Sequence, residues 1–388
     1  MRRGIVDADA KAVLCRSGPV HLALRGIIAK YCQTYLRNPR PIFAHAEKIL
    51  GMKSRNDPCS MLRLSPVGEY FDFSVNSFPY FALGPHAPIR HDRHHRMKPA
   101  PFKYVAARTL DQALALKAEY GDEGRFLAGG QSLVPTLNFR LTQPTVLIDI
   151  NPLTQCAGMQ SAATQSLWIG ALTRYRQIER DPATARDLPL VHEALPHIAH
   201  PQIRNRGTIG GNLSHADPAS EMPAIVLTLD GKLRAQSQSG ERWIAASDFF
   251  VGALTTALRS DEMLMEVELP IAKARSGTCF LEVARRRGDF ALVGVACTVQ
   301  LDDDGRCTQA RIGLCNAGDK PILAKAAAES LVGRPINAAE IDQAAELVQQ
   351  DIDPGGSIHA SKDFQRHLAG VLTKRGLTTA NERARRDH

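Results

Sequence analysis

The distribution of apolar and polar positions divides the chain near Met97. Before Met97 no apolar repeat is sustained, and the segment ends in the polar run HAPIRHDRHHR. After Met97 apolar residues recur at the spacings of helices and strands. The pattern predicts an N-terminal extension of unknown role over residues 1–96, where weak periodicity is compatible with poor order, and a folded body after it.

Residues 97–273 alternate between helical and strand patterns. TLDQALALKAEYGD predicts a helix with a capping box formed by Thr109 and Gln112 and a stop at Gly121. RFLAGG predicts a strand and a glycine turn, QSLVPTLNFRLTQP a helix and VLIDI a buried strand. A second series follows: strand LWIGAL, a helix capped by Thr173, one helix over LPLVHEALPHIAHPQIRNRG, a glycine turn at TIGGN, helix MPAIVLTL, and strands around LRAQS, RWIAA and LMEVELP.

A different pattern occupies residues 278–380. The stretches FLEVARRRGDFALVGVACTVQL and QARIGLCNAG, joined by the turn DDDGR, predict two or three antiparallel strands. The tail KAAAESLVG, NAAEIDQAAELVQQDI and DFQRHLAGVLTKRG is helical. We therefore expect an α+β protein whose last domain is an antiparallel sheet with helices.

Composition and charge narrow the function classes. The chain has 388 residues, 44% of them hydrophobic, which suffices for two or three domains. Its net charge of +8 lies entirely before Met97, because the remainder has as many acidic as basic residues. A neutral body without a nucleic-acid-binding motif argues against nucleic acid as a partner. No apolar run is long enough for a transmembrane segment, and we expect a cytoplasmic protein.

Cysteine and histidine spacing predicts neither an iron–sulfur cluster nor a metal site in this chain. No CxxC pair occurs, and most cysteines are expected to be buried free thiols. His192, His197 and His200 could share a helix face, but Pro196 and Pro201 interrupt that spacing. The eight cysteines are Cys15, Cys32, Cys59, Cys156, Cys279, Cys297, Cys307 and Cys315.

Two Gly-Gly segments are the strongest candidates for chemistry. Ala128-Gly129-Gly130-Gln131-Ser132 lies between a predicted strand and helix, where paired glycines let the backbone approach a phosphate closely. Thr208-Ile209-Gly210-Gly211-Asn212 adds side chains that can bond to phosphate oxygens or to flavin edges. Either segment alone could be only a tight turn. Neither contains GxGxxG or GxxxxGK[ST], which disfavours a Rossmann or P-loop site.

Taken together, these motifs resemble the FAD-binding medium subunit of the molybdenum hydroxylases, such as carbon-monoxide and xanthine dehydrogenases. AGGQSL, LNFRLTQPTVLIDI, HPQIRNRGTIGGNLSHADPASEMPA and ARRRGDFALVGVA carry the resemblance, which covers about residues 97–380. It implies a two-lobed FAD-binding domain of the PCMH type over residues 97–273 and a C-terminal domain over residues 278–380.

The resemblance also implies which residues contact FAD. Glu221 falls where the family has an acidic residue on the cofactor hydroxyls, although a carboxylate at a helix N-terminus is an alternative reading. Family members often place a lysine just upstream of the arginine run, whereas this chain has Leu281 and Glu282 there. Arg285, Arg286 and Arg287 could be a solvated charge run. The implied contacts are Arg125, Phe126, Leu127, Ala128, Gly129, Gly130, Gln131, Ser132, Leu133, Ile198, Ala199, Thr208, Ile209, Gly210, Gly211, Asn212, Glu221, Asp289 and Phe290.

The implied function is electron transfer within a complex. A large subunit with a molybdenum cofactor would oxidise the substrate, and a small subunit would carry [2Fe–2S] clusters. The FAD of this chain would pass the electrons to quinone, NAD or oxygen, in a dimer of heterotrimers. Two alternatives stay open: a self-contained FAD-dependent oxidase or reductase of the same fold, and a nucleotide-binding protein without redox turnover.

Overall fold

The computed structural model describes residues 98–162 and 165–386, together with a short antiparallel strand pair formed by Leu62–Arg63 and Tyr70–Phe71. Apart from that pair, the expected extension over residues 1–96 lies outside the described residues, as do Cys15, Cys32 and Cys59. Within the described residues, no helix has both the length and the apolar character needed to cross a bilayer.

The first lobe is a three-stranded parallel sheet with the strand order β1–β3–β2. Parallel neighbours need crossover connections, which the helices supply. Because the strands are parallel, their carboxyl ends share one edge, and the first glycine segment leaves from the end of β2. The elements are β1 Lys103–Ala106, α1 Leu110–Tyr120, β2 Gly124–Leu127, α2 Leu133–Asn138 and β3 Val146–Asp149, with 3₁₀ turns at Gly121–Glu123 and Thr154–Cys156.

The second lobe is built on a five-stranded antiparallel sheet with the order β4–β5–β10–β6–β7. One face of this sheet and the helices of the lobe enclose a hydrophobic core that includes Ile169, Leu213 and Val267. Its strands are β4 Met159–Ala162, β5 Ser166–Gly170, β6 Lys232–Ser237, β7 Gly240–Ala245 and β10 Met263–Pro270, with a small hairpin of β8 Phe250–Gly252 and β9 Thr255–Thr256. Its helices are α3 Tyr175–Arg180, α4 Pro182–Asp187, α5 Pro189–Ala194, α6 Pro201–Arg204, α7 Ile209–His215, α8 Glu221–Thr228 and α9 Ala246–Phe249.

The C-terminal part is a four-stranded antiparallel meander with the order β11–β12–β13–β14. Two long helices cover one face, and buried aliphatic residues from the sheet and from both helices form a separate core. The α+β class expected from the sequence is confirmed. The elements are β11 Ser276–Ala284, β12 Ala291–Leu301, β13 Cys307–Cys315, β14 Ile322–Leu323, α10 Lys325–Glu329, α11 Ala338–Asp351 and α12 Lys362–Arg386.

Helix α8 joins the second lobe to the C-terminal sheet. All eight of its residues are buried, because it packs against both bodies. A Cβ on Gly313 of β13 would lie 1.8 Å from Thr228 Oγ1, so only glycine allows this close approach. Arg311 Nε donates to Thr228 O at 2.6 Å and satisfies a carbonyl at the helix end. This packing fixes the position of Glu221, the first residue of α8.

Most of the predicted elements are present, including the helix α1 with Gly121 at its C-cap at φ 49°. The capping box is only half formed: Thr109 Oγ1 accepts from Gln112 N, but Gln112 Oε1 accepts from Arg108 N and not from Thr109 N. The prediction that Thr173 caps a helix is wrong. Its hydroxyl pairs with the backbone of Gly158, and α3 begins only at Tyr175.

Two further predictions around the second glycine segment are wrong. The stretch LPLVHEALPHIAHPQIRNRG is not one helix, because α5 ends at Ala194 and α6 starts at Pro201. Between them Ala199 has φ 45°, a left-handed conformation that no continuous α-helix contains. The segment TIGGN is not a turn either: it is the N-cap and first turn of α7. The five cysteines among the described residues are buried free thiols, as predicted.

Candidate functional site

Both glycine segments lie in the wall of one cavity of about 860 Å³. The first lobe contributes the end of β2 and the start of α2, and the second lobe contributes α7 and the N-terminus of α8. The C-terminal part adds the connection between β11 and β12, through Gly288, Asp289 and Phe290. Pockets of a few hundred to about a thousand Å³ accommodate organic ligands and cofactors.

The first segment is a tight turn. Gly130 has φ 73°, which is the left-handed region where glycine alone carries no Cβ penalty. Gln131 Nε2 donates back to Gly129 O at 2.9 Å, and Val134 N donates to Gly130 O at 3.0 Å as α2 begins. The chain therefore reverses sharply between β2 and α2, with the glycine backbone at the cavity wall.

The second segment is a helix start. Thr208 is the N-cap of α7, and its hydroxyl accepts from Gly211 N at 3.1 Å. Gly210 packs against Ala171, the residue after β5: a Cβ on Gly210 would stand 2.4 Å from Ala171 Cβ. The side chain of Ile209 is buried in the hydrophobic core of the second lobe. Gly211 and Asn212 are the residues of this helix turn that line the cavity together with Gly210.

The first segment touches the backbone that leads into the second segment. A Cβ on Gly129 would lie 2.4 Å from Arg206 O and 2.9 Å from Gly207 Cα, immediately before the second segment. Glycine is therefore required at this position so that the two backbones can approach. The cavity wall is continuous across the contact, since Gly207 also lines it.

The polar groups beside α7 include unsatisfied buried atoms. Tyr175 Oη and Asn212 Oδ1 are buried without a hydrogen-bond partner, and both residues line the cavity. Asn212 uses its amide nitrogen, which donates to Ser220 Oγ at 3.0 Å. A buried acceptor left unpaired costs stability, so a ligand that supplies a hydroxyl or N–H group here gains binding energy.

Glu221 places a carboxyl group in the cavity wall. The residue is only 6% exposed, and burial raises its pKa to about 7, with nearby Glu282 acting in the same direction. A buried acid with this pKa exchanges a proton near neutral pH. Glu221 therefore presents a carboxyl group able to donate or accept a hydrogen bond to the cavity.

Just upstream of the arginine run, the buried Glu282 pairs with the partly exposed His197. Glu282 Oε1 lies 3.3 Å from His197 Nδ1, and this hydrogen bond raises the pKa of the histidine. Glu282 Oε2 is buried without a partner. Neither His197 nor Glu282 lines the cavity. Among residues 98–162 and 165–386, no group of three His, Cys, Asp or Glu side chains is placed to hold a metal ion.

The connection between β11 and β12 forms one rim of the cavity. Gly288, at φ 86°, packs against His200 and Ala199, which holds this rim on the second lobe. Phe290 is 66% exposed and Asp289 stands beside it in the wall. The preceding Arg285 is turned away, because its Nη1 contacts His359 Nε2 at 2.7 Å.

The cavity collects most of the residues that the sequence singled out. Leu127 and Ile209 are the exceptions: Leu127 contributes its carbonyl to Ile150 N and Asn151 Nδ2, and Ile209 belongs to the core. The predicted residues that line the cavity are Arg125, Phe126, Ala128, Gly129, Gly130, Gln131, Ser132, Leu133, Ile198, Ala199, Thr208, Gly210, Gly211, Asn212, Glu221, Asp289 and Phe290.

Sequence reasoning missed several lining residues, among them Tyr175, Leu254 and Arg259. Tyr175 has no motif around it, and it reaches the site because Arg174 pairs with Thr208 as an isolated bridge. Leu254 lies in the turn of the small hairpin, where its side chain is 59% exposed and its φ is 53°. A large apolar residue in a left-handed turn is costly, but the sequence alone does not reveal the backbone angle.

Family models match this architecture in two consecutive pieces. Residues 100–272 match the FAD-binding domain in molybdopterin dehydrogenase, and residues 278–380 match the C-terminal domain of the CO dehydrogenase flavoprotein. A relative described as 6-hydroxypseudooxynicotine dehydrogenase complex subunit alpha, from Paenarthrobacter nicotinovorans, is 40% identical over 74% of this chain and 97% of its own length. The chain belongs to the FAD-binding subunits of the molybdenum hydroxylase family of dehydrogenases.

Other members of this FAD-binding family are similar to this chain in sequence and in fold. Caffeine dehydrogenase subunit beta from Pseudomonas sp. strain CBB1 is 37% identical over 74% of this chain and 97% of its own length. The carbon monoxide dehydrogenase structure from Hydrogenophaga pseudoflava superposes with a TM-score of 0.72 at 32% identity, covering 74% of this chain and 99% of that chain. Quinoline 2-oxidoreductase from Pseudomonas putida 86 gives a TM-score of 0.70 at 36% identity, with the same coverage of both chains.

Proposed function

We propose that this chain holds FAD non-covalently in the cavity and passes electrons from the [2Fe–2S] clusters of a partner to quinone, NAD or oxygen. The observation that carries the proposal is the convergence of two Gly-Gly segments on one cavity, in a chain of an FAD-binding family. Neither segment alone would distinguish a cofactor site from a tight turn. The close approach of Gly129 to Arg206 and Gly207, just before the second segment, supports a single site with two backbone walls.

The unsatisfied polar atoms support a ligand rich in hydroxyl and N–H groups. Asn212 Oδ1 accepts, and Tyr175 Oη both donates and accepts, and neither has a protein partner. FAD offers ribityl hydroxyls, ribose hydroxyls and an isoalloxazine N–H. The donors and acceptors of the cavity therefore fit this cofactor.

We assign roles by position along the wall. The backbones of Ala128–Ser132 and Thr208–Asn212 would face the pyrophosphate, since glycine lets a phosphate approach closely. The carboxyl group of Glu221 would bind hydroxyls, and Asp289 and Phe290 would lie beside the isoalloxazine. Arg125, Phe126, Leu133, Ile198 and Ala199 complete the proposed wall, whereas Leu127 and Ile209 would contribute through the backbone alone.

Bound FAD supplies chemistry that joins one-electron clusters to a two-electron acceptor. The protein's own part is to hold the cofactor, exclude water from its buried side and present Phe290 at an exposed rim. We propose that substrate oxidation takes place on a molybdenum-bearing large subunit, that clusters lie on a small subunit, and that the cytoplasmic complex is a dimer of heterotrimers. Relatives whose names include caffeine and 6-hydroxypseudooxynicotine make N-heterocyclic compounds the first substrates to test.

The decisive experiment compares the isolated chain with the assembled complex. We expect the isolated, FAD-loaded chain to be bleached by dithionite and reoxidised by an acceptor, but not to oxidise caffeine, purines, aldehydes or carbon monoxide. Addition of the two partner subunits should restore substrate-dependent bleaching of the visible absorbance of the oxidised flavin. Steady-state substrate oxidation by the isolated chain would favour a self-contained oxidase. A chain that never binds FAD would favour a nucleotide-binding protein without redox turnover.

We also propose that the chain is divided into a dispensable extension over residues 1–96, an FAD-binding domain over residues 97–273 and a C-terminal domain over residues 278–380. Deletion of the residues before Met97 should leave a stable protein that binds FAD with unchanged affinity. Absorbance spectra and a thermal melt of the truncated chain test this division. Loss of FAD on truncation would place the extension in the cofactor domain.

A further inference from the structure

Asn151 and Arg174 connect the two glycine segments from outside the cavity. Neither residue lines the cavity wall. Asn151 follows the last strand of the first lobe, and Arg174 precedes the first helix of the second lobe. Their side chains meet between the lobes, where Arg174 Nη2 donates to Asn151 Oδ1.

On the first-lobe side, Asn151 holds the residues that lead into Gly129. Its Nδ2 donates to Ala128 O at 2.9 Å and is 3.2 Å from Leu127 O. Asp149 fixes the asparagine in turn, since Asp149 Oδ1 accepts from Asn151 N at 2.9 Å. The amide is therefore oriented with its nitrogen toward the first segment and its oxygen toward Arg174.

On the second-lobe side, Arg174 holds the residues that lead into Thr208. Its Nη1 donates to Arg206 O, the carbonyl that a Cβ on Gly129 would strike at 2.4 Å. The backbone is tied at the same place, because Tyr175 N donates to Gly207 O at 3.0 Å and Arg174 forms a bridge with Thr208. The guanidinium thus links the backbone that leads into the second segment to Asn151, which in turn holds the first segment.

We propose that Asn151 and Arg174 are positioning residues that set the spacing of the two glycine segments and, through it, the affinity of the cavity for a pyrophosphate ligand. This inference rests on the proposed function, because the pyrophosphate is assigned to the two segments there. Arginine suits the role since its planar fork can donate to two acceptors in fixed directions, which a lysine ammonium does not. Burial lowers the pKa of Arg174, as expected for a guanidinium partly withdrawn from water, where charged hydrogen bonds are strong.

The test measures binding of ADP and of FAD to the full-length chain stripped of cofactor. Both ligands contain the pyrophosphate, but only FAD contains a flavin. We expect Arg174→Ala to weaken both by the same factor, about tenfold to a hundredfold, the range for losing hydrogen bonds from a charged group. Arg174→Lys should weaken both less than Arg174→Ala. Arg180→Ala is the matched control, because it removes an exposed positive charge from the helix that follows Arg174.

Three results would overturn the inference: wild-type affinities in Arg174→Ala, an equal loss in Arg180→Ala, or weakened FAD binding with unchanged ADP binding. If Arg174→Ala does not fold, Asn151→Asp replaces it, since it keeps the size of the side chain and loses the amide donors. Asn151→Asp should also weaken both ligands equally, and wild-type affinities there would contradict the proposal. A wild-type chain that binds neither ligand would contradict the proposed function itself.

Discussion

The two Gly-Gly segments have the same dipeptide and different backbones. The first is a turn with a left-handed Gly130, and the second is the first turn of a helix capped by Thr208. In both, the first glycine packs against neighbouring main chain or Cβ atoms, at Arg206 O for Gly129 and at Ala171 for Gly210. The second glycine meets no backbone in either segment. The first glycine of each pair therefore serves close backbone packing, whereas the second, which lines the cavity, has only side chains nearby.

The largest effect is expected at the first glycines. Gly129→Ala and Gly210→Ala each force a Cβ to 2.4 Å from another residue, so the backbones must move apart. We expect the free energy of unfolding to fall by about 3 kcal/mol, the upper end for overpacking. Thermal melts of the cofactor-free variants measure this. Gly355→Ala, with nothing within 4 Å of the new Cβ, is the control and should melt like wild type.

The second comparison concerns Glu221, an acid that lies beside the second segment and has no counterpart beside the first. Because the folded pKa of Glu221 is about 7, against an ordinary value of 4.5, its contribution to stability is complete below pH 4.5 and is lost as the pH rises through 7. Between pH 5 and pH 8 the free energy of unfolding of the cofactor-free protein should fall by about 2 kcal/mol because of this group. The raised pKa of His197 acts in the same direction.

Glu221→Gln isolates this contribution because glutamine cannot ionise. Its melting temperature should depend less steeply on pH between 5 and 8 than that of wild type. Parallel pH profiles for the two proteins would mean that Glu221 is already ionised at pH 5 in the folded state.

Substitution at the second glycines should separate stability from binding. Gly130→Ala places a side chain at φ 73°, which costs about 1 kcal/mol. Gly211→Ala puts its Cβ 2.8 Å from Thr208 Oγ1, so the capping hydroxyl must shift, at a cost of about 1 kcal/mol. Both should melt within a few degrees of wild type yet bind FAD at least about tenfold more weakly. Full FAD affinity in either variant would remove that segment from the proposed site.

The smallest expected change in stability separates the second segment, a helix start, from the first segment, a turn. Thr208→Val keeps the shape of the side chain and removes the cap on Gly211 N, at a cost of about 1 kcal/mol or less. Thr208→Ser should restore most of the loss, because its hydroxyl can accept the same hydrogen bond. Gln131→Leu at the first segment removes only a bond to its own turn and should change the melting temperature less.

Local patterns were sufficient where one element decides its own structure. Helix α1, with Thr109 before it and Gly121 after it, and the long strands β11 to β13 follow directly from periodicity and turn residues. Patterns failed where a neighbouring element intervenes. Threonine is a common helix N-cap, but the hydroxyl of Thr173 is paired with the backbone of Gly158, just before β4.

The candidate site, too, is partly set by local patterns and partly by tertiary contacts. Sequence alone determined the α+β class and the two glycine segments, because glycine pairs and apolar periods are local properties of the chain, and its motifs together carried the resemblance to the family. Only the tertiary structure decided that Gly129 abuts Arg206, that Tyr175 reaches the cavity and that Asn151 and Arg174 join the lobes. These contacts connect residues distant in sequence, and their positions depend on how two sheets and their helices pack, which no local pattern encodes.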